Sequence, residues 1–286
     1  ECEYDTGGYF IIKGNERAIV AQLRANHNQT MVYKQKPNEK ISHIAEIRSM
    51  SEETGHSVLI KAMVGSDDRT VTFSLPYVKE PINVGIVFKA LGYLKDEEIV
   101  DIIGLGDMKI TEKNIRLILR DCYFIKTQKM ALEYIGKYIM HIVSAEKKTA
   151  YALQVVETEI FPHLGVTANV KEKAMLLGTM VKKLLLTKLG IRNVDDRDNY
   201  SNKRVETTGI LCSDLFRTLF KRFISTIKAQ LEKKKNRIDI LSIVSRLNSI
   251  TAGLKHSFST GNWGVKNSYI KTGVSQVMSR MTYGAT

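Results

Sequence analysis

Between positions 211 and 231 an apolar side chain returns at every fourth residue: Leu211, Leu215, Leu219, Phe223, Ile227 and Leu231, with Phe216, Phe220 and Ile224 beside them. A strand repeats its face every second residue, so this spacing dictates a long helix, and the width of the apolar band predicts a wide buried face. On the other side Arg217, Lys221, Lys228 and Lys235 fall in one narrow sector at about 100° per residue, with Lys233 and Lys234 nearby. By itself such a stripe describes a solvated face. A second helix over Ile238 to Leu247 is expected to follow.

Upstream the periodicity changes twice. Tyr9 to Ile12 and Arg17 to Gln22 flank the turn residues Lys13-Gly14-Asn15-Glu16 and predict a hairpin. Met31-Val32-Tyr33 is expected to extend that sheet before a boundary at Pro37-Asn38. Ile41 to Arg48, Ser57 to Val64 and Thr70 to Leu75 are further strands of a small antiparallel sheet, the last two joined by Gly65-Ser66-Asp67-Asp68. After Pro76 the pattern becomes helical. Pro81 is expected to open a helix running to Leu91, Asp96-Glu97-Glu98 a second, Thr111-Glu112 a third, and Thr127 a fourth through Ile139. Lys147 to Phe161 and Lys171 to Leu189, stopped by Pro162 and Gly190, complete the set. The fold class that emerges is α+β: small antiparallel sheets, a mainly helical inserted module and one long packed helix.

The 286 residues are enough for one large or two medium domains, and 43% hydrophobic with 26% charged residues describes a globular chain. Its apolar runs are too short for a membrane span, so no membrane partner is expected. Cys2, Cys122 and Cys212 lie far apart, without a neighbour at metal-ligand spacing, and read as reduced thiols of an intracellular protein. The chain opens on Glu1-Cys2-Glu3 and stops at Thr286 inside a patterned segment, as expected of a piece of something longer. Charge is unevenly placed. Residues 1 to 200 hold 28 Lys and Arg against 26 Asp and Glu, whereas residues 201 to 286 hold 15 against 4. A field of that sign favours nucleic acid or an acidic protein surface.

Within the basic end, residues 251 to 286 contain no acid at all. Lys255, Lys266, Lys271 and Arg280 are candidates to neutralise phosphates, and Asn262, Gln276 and the rings of Trp263 and Tyr269 to touch sugars or bases. The competing reading is a basic surface loop around a buried tryptophan. No nucleophile stands beside a base, so no catalytic residue is assigned. Elsewhere Gly104-Leu105-Gly106 lacks a preceding strand and reads as a helix terminus, and the six histidines form no ligand pattern. Asp195-Asp196-Arg197-Asp198 reads as a loop neutralised by Arg197, Lys203 and Arg204 rather than as a cation site. No metal ligand is assigned.

Five short motifs carry more than composition does. Gly7-Gly8-Tyr9-Phe10-Ile11-Ile12-Lys13-Gly14-Asn15-Glu16, Ala45-Glu46-Ile47-Arg48-Ser49, Asp195-Asp196-Arg197-Asp198 with Lys203-Arg204, Thr260-Gly261-Asn262-Trp263-Gly264 and Gly273-Val274-Ser275-Gln276-Val277 occur in that order. Together they resemble the second-largest subunit of eukaryotic-type DNA-dependent RNA polymerases. The resemblance implies a protrusion-like part over 1–34, a lobe-like inserted domain over 35–204, a second protrusion-like part over 205–262 and the start of a fork-like region over 263–286. It places Gln276 against nascent RNA, with Lys271 and Arg280 as weaker phosphate candidates; Lys266 and Asn262 stand beside them as nucleic-acid contacts on composition. Met281 departs from the aromatic residue usual in the family.

From the same resemblance follow the partners: the other polymerase subunits, above all the largest, template DNA and nascent RNA, and general transcription factors on the lobe. No cofactor is expected in this stretch; Mg belongs to the parent enzyme, held mainly by another subunit. The location implied is the nucleus, or a cytoplasmic viral factory or virion for a large DNA virus. Two other readings stay open at this point: an autonomous basic nucleic-acid-binding module, and a docking surface for transcription factors.

Overall fold

The computed structural model describes residues 3–36, 40–66, 70–104, 115, 119–139, 144–165, 169–233, 241, 247–264 and 270–285. The chain forms two compact units, residues 26–202 and residues 1–25 with 203–286. In chain order the strands are β1 (Phe10–Ile12), β2 (Asn15–Ile19), β3 (Gln22–Ala25), β4 (Met31–Lys34), β5 (Ile41–Met50), β6 (Ser57–Gly65), β7 (Val71–Ser74), β8 (Ile82–Asn83), β9 (Lys203–Glu206) and β10 (Ser275–Val277). The α-helices of the described residues are α1 (Val84–Ala90), α2 (Asp96–Gly104), α3 (Gln128–Lys137), α4 (Ala145–Gln154), α5 (Val170–Lys188), α6 (Thr208–Lys233) and α7 (Ser249–Thr260). The fold is α+β.

The unit of residues 26–202 is built on a five-stranded antiparallel meander in the order β4-β5-β6-β7-β8. Along β6 the buried residues Val58, Ile60, Ala62 and Val64 alternate with the more exposed Ser57, Leu59, Lys61 and Gly65, Met63 being buried as well, and β7 adds Val71 and Phe73 to the same side. Helix α5 lies on β4, β5 and β6 and presents Ala174, Leu177, Val181 and Leu184, the buried i, i+3, i+7 row that its sequence prescribes. The helix starts are chemically marked. Asn83, Thr127 and Asn169 each accept a backbone N–H of the first turn of α1, α3 and α5. Buried Lys89 satisfies its ammonium on the carbonyls of Cys122 and Ile125, at 2.9 and 3.0 Å. The open edge of β4 is closed by Asp195, whose carboxylate accepts the Val32 N–H at 2.8 Å while its own N–H donates to Val32 O at 2.9 Å.

Several local expectations are corrected here. β4 pairs with β5 and not with the hairpin, because Met31 and Val32 are buried against the meander's core. Pro81 precedes β8; α1 begins three residues later, where Asn83 supplies the cap. The helix read as Lys147 to Phe161 starts at Ala145 and passes into a π-turn over Val155–Glu159. In the acidic loop Asp195 is neutralised by Arg192 at 2.6 Å, and Arg197 pairs with Glu46 at 2.9 Å and stacks on Tyr33, so the countercharge is not the one nearest in sequence. The Thr111 helix start, the second glycine of Gly104-Leu105-Gly106, the Pro37-Asn38 boundary, the Asp67-Asp68 turn and most of the helix expected at 238–247 lie outside the described residues.

The other unit joins a three-stranded sheet, β1-β2-β10, a two-stranded ribbon, β3-β9, and the pair α6 and α7. Its core is Leu211, Leu215, Leu219, Phe258, Trp263 and Val274, with Ile12 and Ile19 of the hairpin against it. Gly253 allows the helices to meet: a Cβ there would fall 2.4 Å from a methyl of Leu219. The wide buried face expected of α6 is only half realised. Phe216 and Phe220 are 50% and 44% exposed, stacked on each other at 5.9 Å, and Phe223, Ile227 and Leu231 are half-buried. Phe216 and Phe220 stand about 100° around the helix from the buried Leu215 and Leu219 respectively, outside the sector the core covers, and past Leu219 the helix outruns its partner, 26 residues against 12. Among the described residues no helix is long and apolar enough to cross a membrane.

Candidate nucleic-acid interface

The segment after α7 is positioned by three features of its own sequence. Gly261 ends the helix with φ 77°, and a Cβ at that position would sit 2.6 Å from Ser275 O, so a side chain is excluded both by conformation and by space. Its carbonyl accepts the Val274 N–H at 3.0 Å, and Val20 N–H in turn donates to Val274 O at 2.8 Å, which stitches β10 to the hairpin. Trp263 is 4% exposed, its ring set edge-on to Phe258 at 4.9 Å and its indole N–H donating to Leu211 O at 2.7 Å. Between them the chain closes a loop, with Trp263 and Lys271 exchanging two backbone hydrogen bonds of 2.8 and 2.9 Å.

Gln276 emerges on the outer side of the sheet. It stands opposite Ala18 in the register of β10 and β2, is exposed, and spends one amide proton on Gly273 O at 3.2 Å. A carboxamide carries two donors and an acceptor, so acceptor and donor capacity remain for a base or sugar. Asn262 is exposed as well.

The cations are placed otherwise than composition suggests. Lys271 is ion-paired with Glu206, a carboxylate only 4% exposed, whose other oxygen lies 3.1 Å from Arg24 Nε. Arg280 donates to Glu16 at 2.7 Å, lies 3.8 Å from Asp5 and rests over the Tyr9 ring at 5.1 Å. The hydrogen bond to Glu16 raises the Arg280 pKa further above its ordinary value, and the hydrogen bond to Asp5 raises that of Tyr9. These two cations therefore meet protein carboxylates, and Arg280 ties the C-terminal strand to a residue 264 positions earlier. Lys255 is exposed on α7. Lys266 and Tyr269 lie outside the described residues. The buried indole corrects the expectation that the Trp263 ring meets a base.

Sequence reasoning missed Glu206 and Arg24. Each is unremarkable in its own window, and only the ribbon register, which sets Gln22 opposite Glu206 and Arg24 opposite Arg204, brings them to Lys271. Among the described residues no group of three or more His, Cys, Asp or Glu could hold a metal ion.

Residues 26–206 match the family described as RNA polymerase Rpb2, domain 2. Over all of its length the chain is 36% identical to DNA-directed RNA polymerase II subunit 2 of Arabidopsis thaliana, of which it covers 25%. It is also 36% identical, over 98% of its length, to a probable DNA-directed RNA polymerase II subunit RPB2 homolog of Invertebrate iridescent virus 6, covering 26% of that protein. An archaeal relative, DNA-directed RNA polymerase subunit Rpo2 of Sulfolobus acidocaldarius, is 34% identical over 98% of the chain, which spans 24% of it. The chain thus spans about a quarter of the length of these relatives. The family match takes in more than half of the sequence, and the chain belongs to the Rpb2 family of RNA polymerase subunits.

Proposed function

We propose that this chain is part of the second-largest subunit of a DNA-directed RNA polymerase, a nucleotidyltransferase, and serves as a structural and nucleic-acid-contacting element of its cleft during transcription. The observation that carries the reading is similarity along essentially the whole chain to proteins bearing that name from a plant, a virus and an archaeon. In this reading residues 1–34 and 205–262 are protrusion-like, 35–204 form a lobe, and 263–286 begin a fork. Gln276 is the base or sugar contact, with Asn262 beside it. Lys271, Arg280 and Lys266 are the phosphate candidates.

The partners of the reading are the other polymerase subunits, especially the largest, the DNA template, the nascent RNA, and general transcription factors on the lobe. Two-metal catalysis by Mg polarises the transferred phosphate in such enzymes. In this reading Mg is held mainly by another subunit, and the contribution assigned to this chain is positioning. The location that accompanies the reading is the nucleus, or a viral factory or virion for a viral source.

The test uses the assembled polymerase with Gln276→Ala or Asn262→Ala in the full-length subunit. Loss of a hydrogen bond of about 0.5–1.5 kcal/mol should raise release of short transcripts roughly 2- to 12-fold. Retention equal to that of the unsubstituted enzyme in both variants would end the assignment of these side chains.

A further inference from the structure

Glu206 is a buried carboxylate with two cations and one oxygen for each: Oε2 faces Lys271 Nζ and Oε1 faces Arg24 Nε at 3.1 Å. The two sides are not equivalent. Lys271 makes a hydrogen bond, whereas Arg24 Nε, itself buried, makes none of acceptable geometry. Lys271 is 28% exposed along its side chain, and its backbone forms the base of the loop that begins at Trp263. A buried carboxylate deprived of its only countercharge is strongly destabilising, which ordinarily locks such a pair shut. Here a second cation with an unused N–H is already in place.

We propose that Glu206 is a positioning residue that stores Lys271 for a phosphate of bound nucleic acid. When a phosphate comes within reach, the ammonium transfers from the carboxylate to the phosphate, and Arg24 completes its hydrogen bond to Glu206 so that no buried charge is orphaned. The inference rests on the nucleic-acid reading above and adds to it a mechanism for withholding one contact until ligand arrives. It also accounts for a cation of the proposed interface that is paired with a carboxylate of its own chain.

The sign of the predicted effect separates this role from a structural one. Measured with the assembled polymerase and a short fluorescein-labelled RNA–DNA hybrid, Glu206→Gln should bind more tightly at low salt. Its dependence of log Kd on log salt should match that of the unsubstituted enzyme, because Lys271 meets the phosphate in both, whereas loss of that contact makes the slope shallower by about 0.7–0.9, or about threefold in Kd over a fourfold rise in NaCl. Lys271→Met in the Glu206→Gln background should remove that gain. Arg24→Met should act in the opposite direction, because Lys271 then remains the sole partner of the carboxylate, and its shallower slope carries the test if Glu206→Gln does not assemble. Weaker or unchanged binding in Glu206→Gln, a gain that survives Lys271→Met, or an unchanged slope in Arg24→Met overturns the proposal. Gln276→Ala serves as the control: if it weakens binding while the Glu206 and Arg24 variants fail, only the handover is lost, and if it too changes nothing, the nucleic-acid reading itself falls.

Discussion

The indole N–H of Trp263 donates to the main-chain carbonyl of Leu211, 2.7 Å away and 52 positions earlier in the chain. Leu211 lies in the first turn of α6, and Trp263 opens the loop closed by Lys271, so one bond ties the long helix to the interface segment. Trp263→Phe keeps most of the apolar area and removes only the donor. Leu211 O keeps the helical N–H of Leu215, so the loss is that of one hydrogen bond and should destabilise this unit by about 0.5–1.5 kcal/mol, whereas Trp263→Ala adds a cavity and should cost about 3–5 kcal/mol. Urea unfolding followed by circular dichroism reads both. A Trp263→Phe midpoint equal to that of the unsubstituted chain would show that the bond contributes nothing.

What the sequence discloses about this region depends on how local the cause is. The repeat from Leu211 to Leu231 is visible because a helix writes its period into consecutive turns, and the same holds for Val170–Lys188. Helix α7 escapes the same reading: Gly253 and a run of Ser and Thr lower its propensity, and it is held instead by the fit of that glycine against Leu219. The exposure of Phe216 and Phe220 is equally illegible, because which sector of a wide apolar band is covered depends on where the neighbouring elements pack. In the candidate segment Gln276 is exposed. The engagement of Lys271 with Glu206, 65 residues away, is a fact of strand register that no window of sequence contains.

Lys89 offers a sharper measure of a buried charge in the 26–202 unit. It is 3% exposed, donates to Cys122 O and Ile125 O, and has Asp96 at 3.5 Å. The Cys122 thiol beside it is pushed up to about 12, chiefly by burial, and stays neutral. Replacing Lys89 by Ala takes the ammonium from both carbonyls; Cys122 O keeps the Ile125 N–H at 3.1 Å, so the penalty falls chiefly on Ile125 O, about 1–3 kcal/mol, and the urea midpoint should drop accordingly. Lys89→Met restores the aliphatic stem but not the donors and should recover only part of the loss. Equal stability of Lys89→Ala and the unsubstituted chain would refute the assignment of these two bonds as structural.

His163 gives the same unit an acid limb. Its Nδ1 lies 2.6 Å from the hydroxyl of fully buried Ser49, its ring stands edge-on to Phe161 at 6.1 Å, and burial holds its pKa below the ordinary value. A histidine depressed in the folded state is protonated first in the unfolded chain, so the unfolded state binds the extra proton as pH falls. Stability is therefore undiminished above the ordinary histidine pKa of about 6.5, declines as pH drops from there toward the folded value, and changes no further below it. The Ser49 contact fits a neutral ring in either tautomer that pairs Nδ1 with the hydroxyl. His163→Gln removes the titration while keeping a polar group for Ser49, so the loss of urea midpoint between about pH 7 and pH 5 should shrink relative to the unsubstituted chain. An acid limb of the same depth in His163→Gln would place its origin in other groups.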